Sequence, residues 1–224
     1  MSLEPLLRPT AFLDFEHPSV QALAREVSSG TTSLRERAVR LFLRVRDDVR
    51  YDPYSVSLAP EDFAASVTLE RGRGFCVTKA ILLAAGWRAL GIPARLGFVD
   101  VINHLATPRL RELMRTDVFA FHGYAEAWLD GRWVKATPAF NASLCAKFGT
   151  DPLEFDGVHD AMLQPLNRSG DRFLEYVRQR GTFDDFPLPA MVDAWKELYP
   201  HFFEAAPVVA GDFEAEAAPV ERAR

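Results

Sequence analysis

Gly72-Arg73-Gly74-Phe75-Cys76-Val77-Thr78-Lys79-Ala80 runs a glycine-rich turn into the apolar stretch Ala80-Ile81-Leu82-Leu83-Ala84-Ala85. The pattern predicts a loop that delivers a cysteine to the first turn of a helix. There the unpaired backbone N–H groups and the positive end of the helix dipole favour thiolate over thiol. Cys76 is therefore expected to titrate below an ordinary thiol and to be alkylated faster than Cys145, which has no basic or glycine-rich context. On local context alone a cysteine in such a place is more often packing than nucleophile. A second stretch changes that balance. Phe121-His122-Gly123-Tyr124-Ala125-Glu126-Ala127-Trp128-Leu129 reads as a strand carrying a histidine. A thiol on a helix start and a histidine on a strand are two parts of an activated cysteine nucleophile.

Asp130-Gly131 follows directly and separates two apolar-rich runs, a strong hairpin signal. A two-residue turn sets the register, so Leu129 faces Arg132, Trp128 faces Trp133, Glu126 faces Lys135 and Tyr124 faces Thr137. His122 then lies diagonally from Thr137 on one face of the sheet, where a group that orients the imidazole would stand. If the register continued past Pro138, Asn141 would take the other diagonal. Thr137 is favoured by register, Asn141 by the chemistry of its amide. Glu126 is expected to form a cross-strand ion pair with Lys135, and Trp128 to pack on Trp133.

Three blocks in this order resemble the transglutaminase-like superfamily, the papain-related thiol enzymes, from about residue 38 to about residue 141. They are Gly74-Phe75-Cys76 opening a helix that ends in Arg88-Ala89-Leu90-Gly91-Ile92-Pro93-Ala94-Arg95, then His122 to Leu129, then Gly131-Arg132-Trp133-Val134-Lys135-Ala136-Thr137-Pro138. The resemblance implies an α+β, papain-like transglutaminase core, with the cysteine at a helix N-terminus packed against an antiparallel sheet. It also implies a Cys-His-Asp triad whose first two members are Cys76 and His122. The family's aspartate stands four residues after the tryptophan and just before a proline; here that position is Thr137. The candidate catalytic set is thus Cys76, His122 and Thr137, with Asn141 as the substitute for Thr137.

Composition narrows the classes. The 224 residues carry 48% hydrophobic and 25% charged side chains, ordinary for a globular protein. A formal net charge of −5 gives no electrostatic reason to expect nucleic acid or an anionic membrane. The two cysteines form neither a disulfide framework nor a C-x-x-C metal site. His104 and His159 have no neighbours at ligand spacing, so no metal and no cofactor are expected. The start, Met1-Ser2-Leu3-Glu4-Pro5, lacks the features of a signal peptide, and no apolar run approaches a membrane span; a cytoplasmic location is expected.

Along the chain, a helix is expected from Pro18, and Ser33 with Glu36 reads as a capping box for a second. That second helix buries Leu34, Ala38, Leu41, Phe42, Val45 and Val49 at helical spacing and turns Arg35, Arg37, Arg40, Arg44 and Arg46 to solvent. A strand is expected from Ala94, and short or full helices over 108–115, 171–180 and 187–199. The expected organisation is a core with N-terminal helices over 1–145, a helical C-terminal extension over 146–206, and a mobile tail over 207–224. Functionally, the leading expectation is a cysteine-dependent amide or acyl hydrolase or acyltransferase on a protein or peptide amide, through a thioester on Cys76 with His122 as general base. The alternatives are an inactive fold kept as a protein-binding module and, less favoured, a thiol redox sensor in which Cys145 resolves Cys76.

Overall fold

The structure, a computed structural model, describes residues 2–104, 106–204 and 211–217. Helices α1 (Pro18–Ser28) and α2 (Leu34–Asp48) lead into a two-residue strand β1 (Arg50–Tyr51). Helix α3 (Ala65–Arg71), strand β2 (Arg73–Gly74) and helix α4 (Cys76–Ala89) follow. Then come β3 (Ala94–Asn103), α5 (Pro108–Met114), β4 (Val118–Leu129), β5 (Arg132–Ala136) and α6 (Ala142–Lys147). The remainder holds β6 (Leu174–Phe183), α7 (Leu188–Leu198) and two single turns, α8 (His201–Glu204) and α9 (Phe213–Glu216). Strands β5, β4, β3 and β6 form one antiparallel sheet in that order.

Helix α4 is the centre of the molecule. Every residue from Val77 to Arg88 is buried, because α4 packs on β4 and β3 on one side and on α1, α2 and α3 on the other. A helix enclosed on all sides must be apolar all round, which is why this stretch shows no polar face. Its two buried cations are absorbed by backbone oxygens. Lys79 Nζ donates to the carbonyls of Arg46 and Val49 at the end of α2, and the Arg88 guanidinium donates to the carbonyls of Ala94, Arg8 and Asp184. The Arg46 and Val49 carbonyls lie at the C-terminus of α2, where a helix leaves its last carbonyls unpaired. Ser33 caps the start of α2 by accepting from the Glu36 N–H at 3.3 Å. The other half of the box is replaced: the Ser33 N–H donates to Thr31 Oγ1.

The hairpin register is as read from the turn. Asp130 and Gly131 both have positive φ (50° and 83°), the backbone of a tight turn whose twist matches the strands. Leu129 faces Arg132, Trp128 faces Trp133 and Glu126 faces Lys135, and the two tryptophan rings meet edge to face at 5.3 Å. The ladder ends at Ala125 and Ala136, one pair before Thr137.

Three local expectations are corrected. Residues 171–180, read as a helix, fall mostly within strand β6 (Leu174–Phe183), which pairs along β3 from Leu174 opposite Asn103 to Phe183 opposite Leu96. Helical spacing of Phe173, Tyr176 and Val177 misled here, because the open edge of β3 and the buried Asp100 within it both need partners that only a strand carrying Arg180 supplies. Glu126 pairs with Arg95 of β3 at 2.6 Å rather than with Lys135, since the neighbouring strand brings a guanidinium to the same buried spot. Arg46 leaves the solvated face of α2; it is buried and donates to the Leu153 carbonyl and to Asp47 and Glu154. Of the tail expected over 207–224, only 211–217 is among the described residues, where Phe213 is buried against the rings of Tyr51, Tyr54 and Phe148 and Lys147 Nζ donates to the Glu214 carbonyl; 207–210 and 218–224 lie outside them.

Candidate active site

Cys76 is the first residue of α4. The chain is led there by a two-pair parallel ladder, Arg50 with Arg73 and Tyr51 with Gly74. Phe75 is extended at the N-cap, and its N–H donates to Thr78 Oγ1 at 3.1 Å. This fixes the turn that presents the thiol. The backbone N–H groups of Gly123, Val77 and Cys76 itself act on the sulfur, each favouring the thiolate. Arg71 and Arg73, the charges next to the turn in sequence, are instead engaged with Asp62 and Asp52.

His122 lies on β4 just after a β-bulge. Val99 pairs with His122 and Val101 with Phe119, so two residues of β4, Ala120 and Phe121, stand against the single Asp100 of β3. Phe121 adopts a left-handed φ of 59°, a strained conformation for a bulky side chain. The structure holds it there by a buried carboxylate: Asp100 Oδ1 accepts the Phe121 N–H at 3.1 Å, and Arg180 grips both oxygens of Asp100 at 2.8–3.0 Å. The Arg180 guanidinium also lies 5.2 Å from the centre of the Phe121 ring. Asp100 and Arg180 escaped the sequence reading. The available signal was an aspartate inside the apolar run Leu96 to Ile102, which a buried strand admits only with a partner.

Gly123 then meets the first turn of α4. A Cβ on Gly123 would lie 3.0 Å from Val77 Cα and 3.2 Å from the Cys76 carbonyl oxygen, so only glycine lets strand and helix approach this closely. Cys76 and His122 both line one cavity of about 440 Å³, together with Tyr51, Phe121, Trp195 and Tyr199 among others. Thr137 is not part of that lining. It is buried, its N–H donates to the Ala161 carbonyl at 2.8 Å, and its Oγ1 has no hydrogen-bond partner among the described residues. His122 Nε2 is likewise buried and unpartnered. Asn141 is committed elsewhere: its Oδ1 accepts from the Tyr51 N–H at 3.1 Å and its Nδ2 donates to Ser143 at 2.6 Å.

The sequence profile of the transglutaminase-like superfamily matches residues 21–138, more than half of the chain, and its span includes Cys76, His122 and Thr137. The chain belongs to the transglutaminase-like superfamily. Among solved structures, a protein of Cytophaga hutchinsonii named "Putative Cysteine Protease" superposes with a TM-score of 0.54 at 19% identity, covering 84% of this chain and 49% of that one. This likeness is one of fold, and the chain spans about half the length of that neighbour. A second, named a "Putative Protease" of Parabacteroides distasonis, gives a TM-score of 0.37 at 15% identity over 56% of this chain and 25% of that one. No curated protein matches.

In this transglutaminase-like site the electrostatics reverse one expectation. Burial pushes the Cys76 thiol up to about 11, and the N–H groups of Gly123, Val77 and Cys76 offset only part of that. The helix start does act on the sulfur, but desolvation outweighs it. Cys76 keeps part of its surface open to the cavity, so water there relieves the penalty and an apolar occupant would deepen it. Burial also pulls His122 down to about 4. At neutral pH the resting pair is thus a thiol and a neutral imidazole. Cys145 is buried and is also pushed up to about 11 by burial, and both cysteines are free thiols. His104 and His159 stand beside Glu175 and Asp156. Among the described residues no cluster of three His, Cys, Asp or Glu could hold a metal, and no helix is long and apolar enough to cross a membrane.

The low His122 value has a sign that stability measurements can read. Between pH 6.5, the ordinary value, and about 4 the unfolded chain binds a proton that the folded chain refuses. Stability is therefore expected to fall as pH drops through that window, by about 3 kcal/mol in full. Urea unfolding at pH 7 and pH 4.5 should show His122→Gln losing less stability on acidification than wild type. Parallel losses in the two proteins would mean that His122 is not buried as a neutral ring.

Proposed function

We propose that the protein is a cysteine-dependent amide or acyl hydrolase or acyltransferase that works through a thioester on Cys76. The observation that carries the reading is the meeting of Cys76, at the start of α4 with three N–H groups at its sulfur, and His122, on the bulged strand, in the wall of one cavity. In the proposed reaction the Cys76 thiol adds to the substrate carbonyl carbon while its proton passes to His122, and His122 returns that proton to the leaving amine. The backbone N–H groups of Cys76 and Gly123 are placed to stabilise the oxyanion. Because thiol and imidazole are both neutral at rest, proton transfer accompanies attack rather than preceding it. Thr137 is proposed as the group that receives a hydrogen bond from the second ring nitrogen of His122; its free, buried hydroxyl supports this, and the committed amide of Asn141 argues against the substitute.

The neutral Thr137, where the family's aspartate stands, also supports a second reading: a fold kept as a protein-binding module. One experiment separates the two. Brief treatment with an acyl nitrophenyl ester, followed by mass spectrometry, should acylate Cys76 in preference to Cys145, and His122→Ala should slow that acylation by about a hundredfold or more. Equal labelling of both thiols, unaffected by His122→Ala, would leave the binding module as the remaining reading.

A further inference from the structure

We infer that the acyl group this site accepts is bulky, uncharged and apolar; the inference rests on the thiol-enzyme reading above and narrows its substrate class. The cavity that holds Cys76 and His122 has no Asp, Glu, Lys or Arg among its described lining residues. Its wall is built from aliphatic and aromatic side chains such as Leu58, Leu113, Met114, Phe119 and Phe203. The polar groups in that wall are largely turned to internal partners. The Tyr199 hydroxyl accepts from the Ala120 N–H at 2.7 Å and donates to the Val118 carbonyl at 2.8 Å. Trp195 Nε1 donates to the Ala120 carbonyl at 3.3 Å, the Tyr54 hydroxyl donates to Glu216 at 2.5 Å, and Ser57 is engaged with Asp62.

A charged acyl substituent entering this space would lose its water and meet no charged side chain among the described lining residues. An apolar one gains from leaving water and meets a wall made mostly of aliphatic and aromatic side chains. Size agrees. A cavity of roughly 150 Å³ lined by aliphatic and aromatic groups holds one benzene ring, and the space here, about 440 Å³, is close to three times as large. A medium-length alkyl chain or a large aromatic side chain beside the scissile carbonyl fits that volume; an acetyl group leaves most of it unfilled.

The step balances without a further reactant. The Cys76 sulfur adds to the carbonyl carbon of R–CO–X, its proton goes to His122 and then to X, and HX leaves. The thioester R–CO–S–Cys76 remains. Water adds to the thioester, giving R–COOH and restoring the thiol; no electron is gained or lost.

The test uses the full chain and four p-nitrophenyl esters: acetyl, glutaryl, octanoyl and N-acetylphenylalanyl. Acylation of Cys76 is followed by mass spectrometry, and each rate is divided by that ester's rate with free N-acetylcysteine. The octanoyl or the N-acetylphenylalanyl ester is expected to exceed acetyl at least tenfold, and glutaryl to fall below it by a similar factor. Preference for octanoyl alone points to a chain acyl group as the source, and preference for N-acetylphenylalanyl alone to a peptide; either supports the inference. Leu113→Trp, which fills the cavity, should cut the octanoyl-to-acetyl ratio by tenfold or more. Leu113→Asp, which adds a charge to the same wall, should do likewise and covers the case in which the tryptophan variant fails to fold. Acylation of Cys76 at one rate by all four esters overturns this inference while leaving the thiol enzyme standing. No acylation of Cys76 by any ester, acetyl included, overturns both.

Discussion

Thr137→Asp is expected to raise the rate of Cys76 acylation at pH 7 by about tenfold to a hundredfold. If residue 137 stands beside the His122 ring, as proposed, a carboxylate there would stabilise the imidazolium that forms as the thiol loses its proton, and an opposite charge within about 4–6 Å moves a pKa by about one to three units. His122 should therefore rise from about 4 toward its ordinary 6.5, and with it the capacity to take the thiol proton. Cys76 should move the other way, down from about 11, as the imidazolium beside the cavity becomes the favoured state. The comparison case is a serine-protease triad, where replacing the aspartate by asparagine costs on the order of 10⁴ in turnover, largely by imposing the wrong tautomer. Threonine avoids that fault because its hydroxyl can accept the N–H, so the gain from restoring a carboxylate should be smaller than 10⁴. Iodoacetamide labelling of Cys76 across pH 6–11 reads the shift directly, and Thr137→Val should move both rate and profile in the opposite sense. An unchanged profile in Thr137→Asp, with altered labelling in Asn141→Ala, would transfer the third role to Asn141.

Gly123→Val is expected to have the second large effect, a loss of about a hundredfold in Cys76 acylation together with about 3 kcal/mol of stability. The added Cβ would face Val77 Cα at 3.0 Å and the Cys76 carbonyl oxygen at 3.2 Å, both backbone atoms that cannot swing aside as a side chain can. Overpacking of this kind costs about 1–3 kcal/mol. Strand and helix must separate, which moves His122 away from Cys76 and draws the Gly123 N–H off the sulfur; a displacement of about 1 Å in a catalytic pair can cost about a hundredfold. Gly131→Ala is the control. Gly131 has φ of 83° and open space around its Cα, so its substitution strains the turn without touching the site. It should lower stability by about 1 kcal/mol and leave acylation at the wild-type rate. Acylation retained in Gly123→Val would show that the approach of β4 to α4 does not set the Cys76–His122 geometry.

Much of the fold was legible because its signals are local. The glycine-rich turn before an apolar run put Cys76 at a helix start, and α4 does begin at that residue. Asp130-Gly131 demanded a two-residue turn, and the turn carried the pairs Leu129–Arg132, Trp128–Trp133 and Glu126–Lys135 with it. Proline ended that inference, as Pro138 stops the ladder short of Thr137. The capping serine, the proline that opens α1 and the short helix after Pro108 were read in the same way.

What local signals could not carry are the properties made by chain segments far apart in sequence. Residues 171–180 were read as a helix, yet the edge of β3, about 80 positions before β6, draws most of them into a strand. That strand brings Arg180 to Asp100, and the pair holds the Phe121 bulge that aims His122. The thiol's protonation is decided likewise. A helix N-terminus by itself lowers a cysteine pKa, but burial in the folded chain desolvates the sulfur and reverses the sign. The amino-acid sequence alone determined which residues could be nucleophile and base, since residue type and turn chemistry are properties of a few neighbours. Tertiary structure alone decided how those residues are aimed, how they are charged and which side chains line the cavity they share. Desolvation and close approach depend on every segment that surrounds a group, and those segments meet only in the folded chain.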